Sequence, residues 1–256
     1  MSLLGDGLRL AVGTVTAVPI RPPALVDSRR AGVAMTLAPL AVLPLGICAG
    51  LLIWLGTAVA APPLVLAALT IGLVALGSRA IHLDGLADTA DGLTASYNRA
   101  KALEIMTRGN TGPAGAATLV LVLLVQTASL ASIVDRPWAP VLVGTLVLIS
   151  RGALAGACVR GIAAARPGGL GATVAGTVSR PVAAVVGVLL LAAGYGVAVL
   201  GEMPWWQGPL AVLVAGCAVA ALLRRCVVRL GGVTGDVLGA CVEVAFAGLL
   251  VVMSAG

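Results

Sequence analysis

The sequence predicts an all-α helical bundle embedded in a membrane, and three observations carry that prediction. Of 256 residues, 60% are hydrophobic and only 10% are charged, against about 25% charged in a soluble domain. Mean hydropathy is +1.10. Apolar runs of about 17 to 25 residues, enough to cross roughly 30 Å of hydrocarbon, recur along the chain, and no long linker separates them. The reading is one membrane-embedded catalytic domain, residues 1–256.

Taken in order, residues 3–18 form a weak apolar stretch interrupted by Asp6, Arg9 and glycines, which suits a helix lying in the interface rather than a span. Seven spans are expected after it, at 33–55, 64–80, 114–134, 139–157, 181–200, 209–223 and 237–253. The second and sixth are short. Asp6, Arg9, Arg21, Asp27, Arg29 and Arg30 fall within the first 30 residues, a pattern unlike the apolar core and small-residue cleavage site of a secretory leader.

All but Arg136 of the 16 basic residues fall on one side of this topology. The bias of Lys and Arg toward the cytoplasm then predicts a cytoplasmic N-terminus and cytoplasmic charged loops, with the C-terminus outside. Topology accounts for the net charge of +6, and no nucleic acid partner is implied. The five cysteines are isolated, with no CxxC pair, and read as small apolar residues. Trp138, Trp205 and Trp206 sit at the outer ends of spans, where an aromatic belt is expected. The spacing of Gly152 and Gly156 would let helices approach closely, and a homo-oligomer is compatible with it.

The chemistry concentrates at residues 82–92, HLDGLADTADG, where Asp84, Asp88 and Asp91 cluster in a chain holding ten acidic residues in all. On a helix, spacings of four and three residues put neighbouring Cβ atoms on one face about 5 to 6 Å apart. Carboxylates so close repel one another unless cations sit between them. Hard oxygen donors suit Mg²⁺ or Mn²⁺, which bind readily alongside substrate phosphates. Asp236 opens the last span, and Glu243 lies two turns deeper on the same face. An intramembrane Glu is costly and so a functional candidate, with a buried cation such as Arg229 as the structural alternative.

Phosphate handling complements these acids. The same loops carry Arg99, Lys101 and Arg108, then a glycine-rich tract at 167–176, PGGLGATVAG, edged by Arg166 and Arg180. Glycines such as Gly169 and Gly171 let backbone N–H groups approach phosphate oxygens, and Arg offers bidentate contacts. The tract also suits a plain flexible connection, and basic loop residues first of all set topology.

The residues HLDGLADTADGL at 82–93, LEIM at 103–106 and TGDVLGACVE at 234–243 together resemble the adenosylcobinamide-GDP ribazoletransferases, also called cobalamin-5'-phosphate synthases. The likeness covers most of the chain in order and topology. It implies a multi-pass enzyme of a prokaryotic cytoplasmic membrane that uses Mg²⁺ to join adenosylcobinamide-GDP to α-ribazole or its 5'-phosphate, releasing GMP. It implies a Mg²⁺ role for Asp84, Asp88 and Asp91 and a site role for Asp236 and Glu243. One departure is visible at Thr107, Arg108, Gly109, Asn110 and Thr111, where family members often carry a Ser and an Arg or Lys.

The resemblance and the residues converge on phosphoryl transfer from a nucleotide diphosphate, with arginines clamping phosphates. The acceptor hydroxyl needs a proton acceptor, for which an Asp, Glu243 or His82 is a candidate. His82 alternatively orients Asp84. Two other readings compete. A CDP-alcohol phosphotransferase would need an Ala-Arg pair soon after the Asp-Gly, but Asp91-Gly92 is followed by Leu93-Thr94-Ala95-Ser96. A cation transporter would place its acids near the midplane, whereas most of these fall at the cytoplasmic edge.

Overall fold

The computed structural model describes residues 2–255, and these build 13 helices. An N-terminal helix α1 (Leu3–Val15) precedes α2 (Ser28–Ala41) and α3 (Leu43–Ala58), which run on as one long span of 31 residues. Then come α4 (Pro63–Gly77), α5 (Ile81–Ala95), the short α6 (Arg99–Ile105) and α7 (Pro113–Ala131). A second composite span joins α8 (Ala139–Arg151) to α9 (Ala153–Ala157). After the small α10 (Gly169–Val174), three long helices finish the chain: α11 (Arg180–Leu200), α12 (Gln207–Leu230) and α13 (Gly235–Ser254).

Starts and stops follow local chemistry. Proline occupies the first turn of α3, α4, α7, α8 and α11, where its missing N–H costs nothing. Side chains of Asp27, Asn98, Ser179 and Thr234 cap α2, α6, α11 and α13. Gly231, with φ of +79°, closes α12 in the left-handed conformation.

Among the described residues, six helical stretches, counting α2–α3 and α8–α9 as one each, are long and apolar enough to cross a membrane, or seven if α4 and α5 together make one span. The all-α polytopic bundle is therefore as the composition implies, and the interfacial stretch is helical as α1. The second span is corrected: α4 is only 15 residues, about 22 Å long, and stops at Gly77. The chain then turns 88° into α5. Arg79 and Ala80 both adopt positive φ, 58° and 54°, a strained pair for non-glycine residues. The turn is latched from α1, where the Ala17 N–H donates to Gly77 O at 2.7 Å and Arg79 Nη2 to Gly13 O at 2.8 Å. The sixth span is longer than expected, since α12 begins at Gln207 and ends at Leu230.

α13 is the central helix. It packs along α12 and α5 and also touches α7, α8 and α9. Two thirds of its span and of the α8–α9 span is buried, against about one sixth of α7 and α11. The outward faces of those two carry Leu121, Leu124, Val185, Val188 and Leu189, as lipid-facing helices should.

The approach of α5 to α13 is set by glycines. A Cβ on Gly85 would lie 2.6 Å from Asp236 O, and one on Gly239 would lie 3.0 Å from His82 Cα. The two backbones touch with nothing between them. Gly85→Val should therefore lower thermal stability in detergent by about 1–3 kcal/mol through overpacking. Gly216→Val, whose Cβ meets nothing within 4 Å on α12, should shift it by less than about 0.5 kcal/mol.

Candidate active site

Because α5 is helical throughout residues 81–95, Asp84, Asp88 and Asp91 do share one face, graded from exposed Asp84 through half-buried Asp88 to buried Asp91. Their surroundings give them different work. Asp91 points at the start of α7, where the backbone N–H groups of Gly112 and Gly115 donate to its Oδ2 and Oδ1 at 2.6 and 2.8 Å. Both oxygens thus satisfy N–H groups that no helical carbonyl can reach, and the negative charge meets the positive end of the helix dipole. A Cβ at either glycine would strike that carboxylate.

Asp84, at the N-terminal end of that face, meets α13. With Asp236 it lines a cavity of about 200 Å³ bounded by α1, α2, α5, α9, α10 and α13. Asp236 sits in the first turn of α13. Its Oδ2 accepts the Thr234 hydroxyl at 3.0 Å and lies 3.6 Å from Arg166 Nη2. The other terminal nitrogen of Arg166, Nη1, is buried without a hydrogen-bond partner.

Between these two, Asp88 lies half-buried on α5, beyond the 88° bend and outside the six spans. Burial, and then the negative charges of Asp84, Asp236 and Asp91, push its carboxyl up to about 6, with Arg166 opposing. These acids therefore form one electrostatic unit with Arg166. Among the described residues no group of three or more His, Cys, Asp or Glu is arranged to hold a metal ion by itself.

The glycine-rich tract comes to the same place. A Cβ on Gly171 would sit 2.7 Å from Val233 O and 2.8 Å from Thr234 Cα, and Leu170 packs beside Gly235. Paired backbone hydrogen bonds, Val233 N–H to Ala163 O and Ala165 N–H to Val233 O, both 2.9 Å, lash the preceding loop to the α12–α13 connection. That pairing holds Arg166 beside Asp236. Gly169, with φ of +73°, is exposed at the start of α10.

The remaining residues singled out from sequence lie elsewhere. Arg99 donates from Nη2 to Ala165 O at 2.8 Å and rests its guanidinium on Gly231, so it braces the loop that carries Arg166. Arg108 pairs with Glu104 at 2.9 Å, both exposed, an arrangement worth little in water. Lys101 and Arg180 are exposed. His82 is buried, lines the cavity, and its Nδ1 has no hydrogen-bond partner.

Glu243 is buried seven residues along α13 from Asp236, about 10 Å, and does not line the cavity. Its hydrogen-bond partner is Gln126 of α7, whose Nε2 donates to Oε2 at 2.8 Å, and the charge of buried Arg151 also acts on it. The alternative partner Arg229 instead donates to Ser96 O at 2.7 Å and covers the Tyr97 ring at 4.3 Å. Sequence reasoning took Arg151 as a topology marker, yet it is completely buried, with Nε and Nη2 unpartnered. A lone arginine inside an apolar span was the available signal.

The comparisons with known proteins bear on this arrangement. The profile described as cobalamin-5-phosphate synthase matches residues 7–254. The chain belongs to the cobalamin-5-phosphate synthase family. An adenosylcobinamide-GDP ribazoletransferase of a Nocardioides species is 47% identical over 250 residues, 98% of this chain and 99% of the relative. Proteins of the same name from Frankia casuarinae and Pseudomonas entomophila are 38% and 36% identical, covering 96% and 91% of this chain and 93% and 92% of their own lengths. No solved structure matches. The matched span includes both acid-bearing segments of this family member, so the cleft between α5 and α13 lies wholly within the family's region.

Two measurements separate the duties of these acids. Asp91→Ala should cost about 1–3 kcal/mol in detergent unfolding, because it leaves buried N–H groups unpaired, whereas Asp84→Ala should cost less than about 0.5 kcal/mol. In metal-free protein, isotope-edited infrared titration should show a carboxyl that loses its proton near pH 6 and is missing from Asp88→Asn.

Proposed function

We propose that this chain is an adenosylcobinamide-GDP ribazoletransferase, which joins adenosylcobinamide-GDP to α-ribazole or its 5'-phosphate and releases GMP in the assembly of cobalamin. The observation that carries the reading is that Asp84 and Asp236 line one cavity, with Arg166 beside Asp236 and Asp88 coupled to all three by charge, in a chain whose relatives bear that name over nine tenths or more of their length.

The donors in that cleft fit Mg²⁺. All are carboxylate oxygens, none is a thiolate, and Mg²⁺ typically binds through one or two protein carboxylates with substrate phosphates completing its shell. Asp84 and Asp236, which line one cavity, would hold it, while Asp91 is already committed to α7. When bound there, the ion would neutralise charge on the diphosphate. Glu243, spoken for by Gln126, supports the bundle rather than the ion.

The chain's own residues do the rest. Arg166 presents a buried, unpartnered Nη1 for a phosphate oxygen. A ribose hydroxyl of the acceptor attacks the phosphorus attached to the cobinamide, forming a new O–P bond as the bond to GMP breaks. Its proton passes to a carboxylate, and Asp88, half-buried beside these acids and left off the ion, is placed to accept it. Gly171 holds the glycine tract against α13, closing that side of the cleft. Arg99 positions Arg166 through Ala165.

The placement of basic residues and the bacterial relatives support a prokaryotic plasma membrane with the N-terminus and the cleft facing the cytoplasm, where both soluble substrates occur. The lipid bilayer is the surrounding partner.

Purified protein in liposomes, given adenosylcobinamide-GDP, α-ribazole-5'-phosphate and Mg²⁺, should release GMP, and a chelator should abolish it. Asp84→Ala and Asp88→Ala should each lower kcat/KM by about a hundredfold or more. Absence of GMP from wild type, or unchanged turnover in both variants, would overturn the assignment, and cation flux without turnover would point to a transporter.

A further inference from the structure

The cavity beside Asp84 and Asp236 has a floor that phosphate chemistry does not explain. Behind the two carboxylates its walls are Val15, Met35, Leu154, Leu170 and Leu238. Thr14 is also there, but its hydroxyl already donates to Leu10 O at 2.7 Å. A metal and a diphosphate need charged or polar neighbours, and nothing in this apolar end serves them. We infer that the cavity is the subsite for the flat heteroaromatic base of the acceptor, a benzimidazole carried on ribose, with the sugar at the rim between Asp84 and Asp236. The inference rests on the functional reading above and assigns the acceptor's place within it.

Size and polarity select this occupant. The volume of about 200 Å³ is below the roughly 300–1,000 Å³ of pockets that enclose whole drug-sized ligands. It suits one fused bicyclic ring and excludes the corrinoid or a complete nucleotide. Guanine, the other base in the reaction, carries several donors and acceptors around its edge, and burying them against aliphatic walls would leave them unpaired. A benzimidazole is apolar except for one bare ring nitrogen. The wall offers one matching group, since His82 is buried and its Nδ1 has no hydrogen-bond partner. Protonated on Nδ1, a neutral imidazole donates to that nitrogen. With the base seated inward, the ribose stands at the mouth beside the carboxylates, and its hydroxyl is directed toward the phosphate held near Arg166.

The role of His82 follows from this placement. It orients the acceptor through the base and is a positioning residue. The attacking hydroxyl is activated by a carboxylate.

The test measures binding and turnover separately. α-Ribazole alone is titrated into detergent-solubilised protein by calorimetry, without metal or donor, for wild type, Leu154→Phe, Met35→Ala and His82→Phe. Leu154→Phe fills the cavity and should weaken α-ribazole binding roughly tenfold or more, and in turnover raise KM for α-ribazole-5'-phosphate while KM for adenosylcobinamide-GDP stays within about twofold. Met35→Ala enlarges the cavity and should shift preference toward bulkier ring substituents. His82→Phe should weaken binding of the benzimidazole riboside and spare that of an analogue whose bare ring nitrogen is replaced by carbon. If KM for adenosylcobinamide-GDP moves instead, the cavity belongs to guanine and the inference is wrong. Unchanged acceptor binding and unchanged base preference in all three variants would also overturn it. Wild type that binds α-ribazole in this variant-sensitive way yet releases no GMP would sink the functional reading and leave the subsite standing.

Discussion

The contact on which the rest of this molecule depends is the bare crossing of α5 over α13. Gly85 lies against the backbone of Asp236, and Gly239 against that of His82. Close approach of this kind is how helices associate where there is no hydrophobic driving force between them. Here it has a chemical result, because each glycine adjoins or faces a functional side chain. Asp84 precedes Gly85 and Asp236 opens α13, so bringing the backbones together brings the two carboxylates to one cavity. The strained turn at Arg79 and Ala80, latched by α1, aims α5 at that crossing.

One helix face then divides its acids by depth. Asp91 is spent on the N–H groups at the start of α7. Asp84 remains exposed at the cavity, and Asp88 between them feels both neighbours and Asp236. Repulsion among these groups resists assembly of the site, and among the described residues the positive charge acting on Asp88 is that of Arg166. A site in this condition attracts cations, and Arg166 retains a nitrogen free for an anion. Opposite charges at adjoining positions suit a metal-bound diphosphate better than either ion alone.

Much of this was legible in the chain. Hydropathy alone places most spans, because lipid requires each crossing segment to satisfy its own backbone, and the spacing of Asp84, Asp88 and Asp91 gives their shared face once the segment is helical. What could not be read was tertiary. The 88° bend after Gly77 lies inside an apolar run and depends on two non-glycine residues in the left-handed region, which hydropathy does not register. The capping role of Asp91 requires knowing that α7 begins beside it, and a spacing rule treats three aspartates alike. Arg99 and Arg166 have the same composition signal, yet one reaches a carbonyl and the other a carboxylate. Glu243 was flagged correctly as costly and a buried cation, Arg151, does act on it, but its hydrogen-bond partner, Gln126, is an uncharged residue 117 positions away.

That last pairing bears on how the site keeps its alignment. α7 receives Asp91 from α5 at its first turn and gives Gln126 to Glu243 of α13 farther along. The two acid-bearing helices are thus each registered against the same third helix by a polar contact that one residue's slip would break. Apolar packing between α5, α7 and α13 permits sliding with little penalty, since one aliphatic neighbour resembles the next. A buried carboxylate with one specific donor does not, because displacement leaves it unpaired in a medium that cannot solvate it. Burying Glu243 is therefore a poor way to add stability, but it fixes the height of α13 relative to α7. Asp91 fixes α5 relative to the same reference. The distance between Asp84 and Asp236 is the difference of those two settings.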